Sequence, residues 1–200
     1  ARPYALANPR FKTLPVIGGF RGQDNPELIL TLDPAPQVIF KMVGTGRGTS
    51  GPEPDELQGR TGIPVVALRA GNLHERRSEL AAALRLMGAV LGREARAEAV
   101  LSFFDRTMAD LQHRTADVPA KSRPAAYVGG IAYAGPHGFQ STEPAYPPFR
   151  LVNVENLAAR DGDTANGGVR DISREQLIAW NPDHLFLDLS TLQLGESAGG

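Results

Sequence analysis

The chain has 200 residues, enough for one large domain or two small ones, and its 42% apolar and 22% charged content is that of a chain that folds as a globule. With 21 basic and 22 acidic residues the net charge is -1, which gives no electrostatic ground for binding nucleic acid or an anionic membrane. Cysteine is absent, so disulfides, thiolate metal sites and cysteine nucleophiles are excluded.

Residues 14–19 read as a short strand ending in a glycine turn. Asn25 is a helix cap with Pro26 at the first helical position, where a missing N–H costs nothing. That helix is expected to reach Asp33 and stop at Pro34 and Pro36. A buried strand over 37–43 follows, then the loop Gly44–Gly51, a short helix over 53–60 and a second apolar strand over 63–68. Alternating helix and apolar strand is the pattern of a parallel α/β lobe.

The pattern changes from Leu73 to Thr115. Proline vanishes, Ala and Leu dominate, and opposite charges interleave along a solvated face. Leu80, Leu84, Met87 and Leu91 recur at helical spacing until Gly92 breaks the run. A second helix starts near Arg93 and places Ala97, Val100 or Leu101, Phe104, Met108 and Leu111 on one face. A helix of about 20 residues spans about 30 Å, enough to run beside two lobes and join them.

Residues 116–124 form a linker, and a second α/β lobe follows. Strand 125–128 leads into Gly129 and Gly130, and a long loop rich in Gly, Pro and Tyr runs to Phe149. Loops of that length inside a compact domain usually carry function. Residues 152–159 are expected to be helical and 161–168 a turn. Ser173 and Gln176 make a capping box for a helix that ends before Pro182, and 185–189 is the last strand. The domain plan is therefore 1–72 in a first lobe, 73–115 helical with the interlobe helix, and 116–200 in a second lobe.

Several motifs can be weighed against simpler readings. Gly46-Arg-Gly-Thr-Ser-Gly51 has dinucleotide-loop spacing, yet Pro52 and Pro54 follow it and Arg69 stands where an acid is needed. A glycine loop lining a cleft fits better. No histidine pair has metal-ligand spacing. His137, between Pro136 and Gly138, is either a polar loop residue or a ligand contact. Tyr133 belongs with Tyr127, Phe139, Tyr146 and Phe149 to an aromatic cluster that either anchors the loop or stacks on a planar or chelated ligand. Ser141 and Thr142 have no neighbouring base in sequence, so covalent catalysis lacks support. Arg21, Arg47 and Arg69 each closely follow a predicted strand, at the edge where parallel lobes bind ligands, and would favour an anion.

Glu27 and Glu175 recur at matching places. Each stands two residues after a cap, ahead of an apolar helix, a proline stop and a short strand. A carboxylate there is favoured by the helix dipole, which explains one such residue. Its recurrence in both lobes suits docking to a symmetric partner.

The units Pro26–Pro34 and Ser173–Asp183 resemble those of periplasmic binding proteins for ferric siderophores and cobalamin. So do Thr61–Val66 and the run Leu84–Arg93 that leads into the long helix. The resemblance covers nearly the whole chain. It implies an α/β fold with two Rossmann-like lobes on parallel sheets, joined by a long helix, with ligand held in the cleft. It implies a non-enzymatic, cofactor-free component of an ABC importer that delivers an iron-siderophore, cobalamin, haem-like or related metal chelate to a permease dimer. In such proteins a glutamate on each lobe meets permease arginines, a role that falls here to Glu27 and Glu175. The ligand contacts expected are Arg21, Arg47, Arg69, Tyr133 and His137. The location implied is the periplasm or the outer face of the membrane, reached without spanning it. Family members are about half as long again, so the lobes are expected to be incomplete. Two other classes remain open. One is a cytoplasmic α/β enzyme or cofactor-binding protein using the Gly44–Gly51 loop, and the other is a sensor or adhesin-like module.

Overall fold

The computed structural model describes residues 6–18, 24–43, 53–132, 138–160 and 168–188. The chain divides into two compact units, Ala1–Glu98 and Ala99–Gly200.

In the first unit, helix α1 (Pro26–Leu30) begins where the Asn25 side chain accepts a hydrogen bond from the Leu28 N–H at 2.9 Å. Such a cap contributes about 1 kcal/mol. Pro26 and Ile29 turn inward. The helix stops three residues short of Asp33. Thr31 and Leu32 donate to the carbonyls three residues back, which tightens the last turn. The residue before a proline is also turned away from helical geometry, so Pro34 blocks any extension through Asp33.

Strand β1 (Ile39–Val43) and strand β2 (Val65–Arg69) pair in parallel, from Ile39 opposite Val65 to Val43 opposite Arg69. Helix α2 (Pro54–Thr61) lies between them in the chain and packs on α1 and β2. Leu57 is fully buried, and the helix ends at Gly62 in the left-handed conformation (φ 68°) that glycine adopts without strain. Lys41 is buried in β1 and forms an ion pair with Asp24. The strand expected over 14–19 does not form within the described residues. Gly18 makes a single antiparallel bridge to Asp24, while Leu14 and Val16 stay exposed. Among the described residues the only backbone pairing of this stretch is with Asp24 and Asn25, whose N–H reaches the Ile17 carbonyl at 3.0 Å.

Helix α3 (Arg77–Leu91) ends as expected at Gly92 (φ 61°). The Arg93 N–H reaches back to the Gly88 carbonyl at 2.7 Å, closing the last turn. A Cβ on Gly88 would stand 2.9 Å from that of Ala97, so the turn brings α3 against helix α4 (Glu94–Thr115). Of the expected faces, Ala97, Leu101 and Met108 are buried and Leu80, Leu84, Met87, Phe104 and Leu111 are half-buried. Leu91 is exposed. The 22-residue α4 is about 33 Å long, and the boundary between the units falls inside it.

The second unit is built around strand β3 (Ala125–Gly129), buried because it has a partner on each side. Strand β4 is Ser141–Thr142, helix α5 is Pro147–Leu151, strand β5 is Glu155–Asn156 and strand β6 is Arg170–Asp171. Helix α6 (Arg174–Trp180) precedes strand β7 (His184–Leu187). The main sheet is parallel in the order β5-β3-β7, and β4 pairs antiparallel with β6. Ala126, Val128, Ile131 and Phe149 form the core, with Tyr146, Val154 and Val169 against it. Phe149 meets Tyr146 and Phe186 edge-on at 5.0 and 5.3 Å.

The helix expected over 152–159 is replaced by β5 and a 3-10 turn at Leu157–Ala159. Asn153 takes a left-handed conformation (φ 53°) that ends any helix, and Glu155 donates to the Pro124 carbonyl beside β3. The free edge of β3 thus wins over local propensity. The expected loop 130–149 holds β4 and α5. At α6 the Ser173 hydroxyl accepts from the Gln176 N–H at 3.0 Å, and Asn181 (φ 44°) closes the helix before Pro182.

Candidate functional site

Glu27 and Glu175 occupy the same position, second in their helices, one in each unit. Both are exposed. Glu27 is held below the usual carboxylate range by its own backbone N–H and by Arg60, whose Nη2 donates to its Oε1 at 2.6 Å. Glu175 is lowered by its own backbone N–H, then by the Ser173 hydroxyl, with the Arg174 charge a lesser cause. Each carboxylate is therefore ionised at neutral pH and presents fixed negative charge to solvent.

The second feature is the stem of the loop that follows β3. The Tyr127 hydroxyl donates to the Phe139 carbonyl at 2.8 Å, and the two rings meet edge-on at 5.5 Å. The Ser141 hydroxyl donates to the Ile131 carbonyl at 2.7 Å, and the Ile131 N–H returns to the Ser141 carbonyl. Tyr127, Ser141 and Thr142 are wholly buried. The Tyr127 and Ser141 hydroxyls bind the two sides of the stem together, while the buried Thr142 Oγ1 has no hydrogen-bond partner among the described residues. Gly129 allows the closure. A Cβ on it would lie 2.4 Å from the Phe139 carbonyl oxygen.

Burial pushes the Tyr127 hydroxyl up from 10.0 to about 12, and the Asp171 charge adds to the rise. The folded value exceeds the unfolded one. Its stabilising effect is thus complete below about pH 10 and is lost as pH rises toward 12. Urea unfolding at stepped pH should show a fall across that window that is shallower in Tyr127→Phe. The same variant should lose about 1 kcal/mol at pH 7 through the missing hydrogen bond. An identical alkaline fall in both proteins would remove Tyr127 as its source.

Arg69 ends β2 and is exposed, as the strand-end reading expects. It borders a hollow of about 380 Å3 lined by Ala67 and Leu68 of β2 and by Ser78, Glu79, Ala82, Ala83 and Leu86 of α3. Arg21, Arg47, Tyr133, His137 and the Gly44–Gly51 loop lie outside the described residues. Phe139 and Tyr146 of the aromatic cluster pack on Tyr127 and Phe149, which is the anchoring reading for those two residues. Among the described residues no group of three or more His, Asp or Glu could hold a metal ion, and no helix is long and apolar enough to cross a membrane. Sequence reasoning missed Arg60, which stands 33 residues from Glu27 in the chain. Its only local signal is an i,i+4 relation to Glu56, and that points to a different partner.

Comparison with known proteins bears on this arrangement of elements. Residues 12–198 match the family model described as periplasmic binding protein. No curated protein matches the chain at a significant level. A periplasmic solute binding protein from Veillonella parvula superposes with a TM-score of 0.67 at 18% identity, covering 92% of this chain and 50% of that one. The molybdate periplasmic binding protein of Haemophilus influenzae, solved with molybdate, gives 0.62 at 18% identity, covering 92% and 57%. A periplasmic heme binding protein from Pseudomonas aeruginosa gives 0.58 at 23% identity, covering 98% and 66%. The chain thus spans about half to two thirds of the length of these structures, and at such identities the likeness establishes the fold. The family match covers nearly all of the sequence, and the chain belongs to the periplasmic binding protein family.

Proposed function

We propose that the protein is the solute-binding component of an ABC importer, that it captures a metal complex outside the cytoplasm, and that it hands this cargo to a membrane permease dimer. The observation that carries the reading is the family match over residues 12–198. Its family is one of substrate-binding proteins, and the family's name implies the periplasm. The proposed location is the periplasm or the outer face of the membrane.

The proposed cargo class is the one that the resemblance implies, an iron-siderophore, cobalamin, haem-like or related metal complex. Similar structures include one described as heme-binding and one solved with molybdate, which supports haem-like cargo and keeps a metal oxyanion within the class. Arg69 supports an anionic group on the cargo. Arg21, Arg47, Tyr133 and His137 complete the proposed contact set. Glu27 and Glu175 are the proposed permease contacts, since each offers an ionised, exposed carboxylate that a guanidinium can grip in a charge-assisted hydrogen bond.

Thermal unfolding of the protein with ferric siderophores, cobalamin, haem and molybdate tests the cargo. A true ligand at about a hundred times its Kd adds about 2.7 kcal/mol of stability by mass action. One member of the panel is expected to raise Tm in a concentration-dependent way. Silence across the panel would overturn the metal-complex reading.

A further inference from the structure

The two exposed glutamates are alike in sequence setting but not in surroundings. Glu27 shares its Oε1 with Arg60 at 2.6 Å. The helix that carries Arg60 is anchored against α1. Leu57, one turn earlier on α2, is fully buried, Ile29 on α1 is nearly so, and the two helices pack together. Glu56 stands 3.9 Å from the other terminal nitrogen of Arg60. Glu175 is different. Among the described residues no cationic group lies within ion-pair distance of it, and its hydrogen-bonding support comes from its own backbone N–H and the Ser173 hydroxyl.

We infer that the two glutamates are unequal docking points: Glu175 offers a full negative charge, whereas Glu27 offers a carboxylate half-neutralised by Arg60, which an incoming guanidinium must share or displace. This rests on the docking reading proposed above. The partner chemistry is the same at both points, a guanidinium on the permease surface. Arg60 acts against it in two ways. It occupies one carboxylate oxygen, and it places a like charge beside the approaching one. The side chain of Glu27 is 75% exposed and that of Arg60 45%, so the internal pair is solvated and yields to competition. Exposed ion pairs of this kind hold by a factor of only about 1.5 to 5. Arg60 therefore weakens docking without blocking it.

The test measures binding of the protein to nanodiscs carrying the importer's permease dimer, at low and high salt. Arg60→Gln should tighten docking about two- to fivefold at low salt, with the gain fading as the Debye length shortens. Glu175→Gln should weaken docking more than Glu27→Gln does. In the Arg60→Gln background the cost of Glu27→Gln should rise toward that of Glu175→Gln, a coupling that a purely structural role of Arg60 would not produce. Matching thermal midpoints for parent and Arg60→Gln proteins confirm that the variant is folded. Unchanged or weaker docking by Arg60→Gln, with Glu175→Gln still harmful, would overturn the competitor role alone. If neither Glu27→Gln nor Glu175→Gln alters docking, the docking reading falls and takes this inference with it.

Discussion

Replacing both glutamates with lysine, Glu27→Lys with Glu175→Lys, is expected to abolish cargo uptake while leaving cargo affinity unchanged. The reasoning is electrostatic. Each carboxylate is exposed and held in its ionised form, so each is ready to accept charge-assisted hydrogen bonds from a partner's guanidinium groups. Lysine at both positions turns two attractive contacts into two repulsive ones. Binding to the permease should fall by roughly a hundredfold or more; added cargo should not recover it, and added salt should recover only the repulsive part. Neither substitution touches the loop stem after β3 or the residues around Arg69, so thermal stabilisation by cargo should be preserved. The two readouts separate docking from capture. Uptake at the parental rate in the double variant would remove the docking role from both residues.

The second large effect is expected at Gly129, where alanine should lower the stability of the second unit by about 3 kcal/mol. Strand β3 is pinned on one side by β7, with Gly129 opposite Leu187 and its carbonyl accepting from the Asp188 N–H at 2.9 Å. On its other flank the Phe139 backbone crosses so closely that a new Cβ would lie 2.4 Å from the carbonyl oxygen and 2.6 Å from a ring carbon. Relief requires Phe139 to move. That motion breaks the Tyr127 hydroxyl contact to the same carbonyl and loosens the edge-on ring pair. Gly138→Ala is the control, because a Cβ there meets nothing within 4 Å. Urea midpoints should drop strongly for Gly129→Ala and barely for Gly138→Ala. Equal midpoints would show that the stem is not closed as described.

Much of the fold was legible along the chain because its signals are local. Asn25 with Pro26, and Ser173 with Gln176, announce helix starts through contacts that span three residues. Gly92 ends α3 because only a left-handed residue closes that turn cheaply, and the cue is one glycine after an apolar run. The matching positions of Glu27 and Glu175 could be read for the same reason, since a cap fixes the register of the helix behind it. The sequence was misleading where stability depends on a distant neighbour. Leu14 and Val16 look like strand residues but stay exposed and pair with no strand among the described residues, and 152–159 looks helical but lends Glu155 and Asn156 to the edge of β3.

The proposed site divides along the same line. Residue types and caps, all local, placed a carboxylate at the second position of α1 and of α6 and an arginine at the end of β2. Tertiary structure alone decided that Arg60 reaches Glu27 across the packed pair α1 and α2, and that Tyr127 and Ser141 spend their hydroxyls on the stem of a loop. The sequence determined the alternating elements, the long uninterrupted helix and the exposed negative charges, because each depends on residues within a few positions of one another. Which charge is already paired, and which hydroxyl is already used, depends on side chains brought together by burial of Leu57, Ile29 and the β3 core, and no short stretch of chain contains that information.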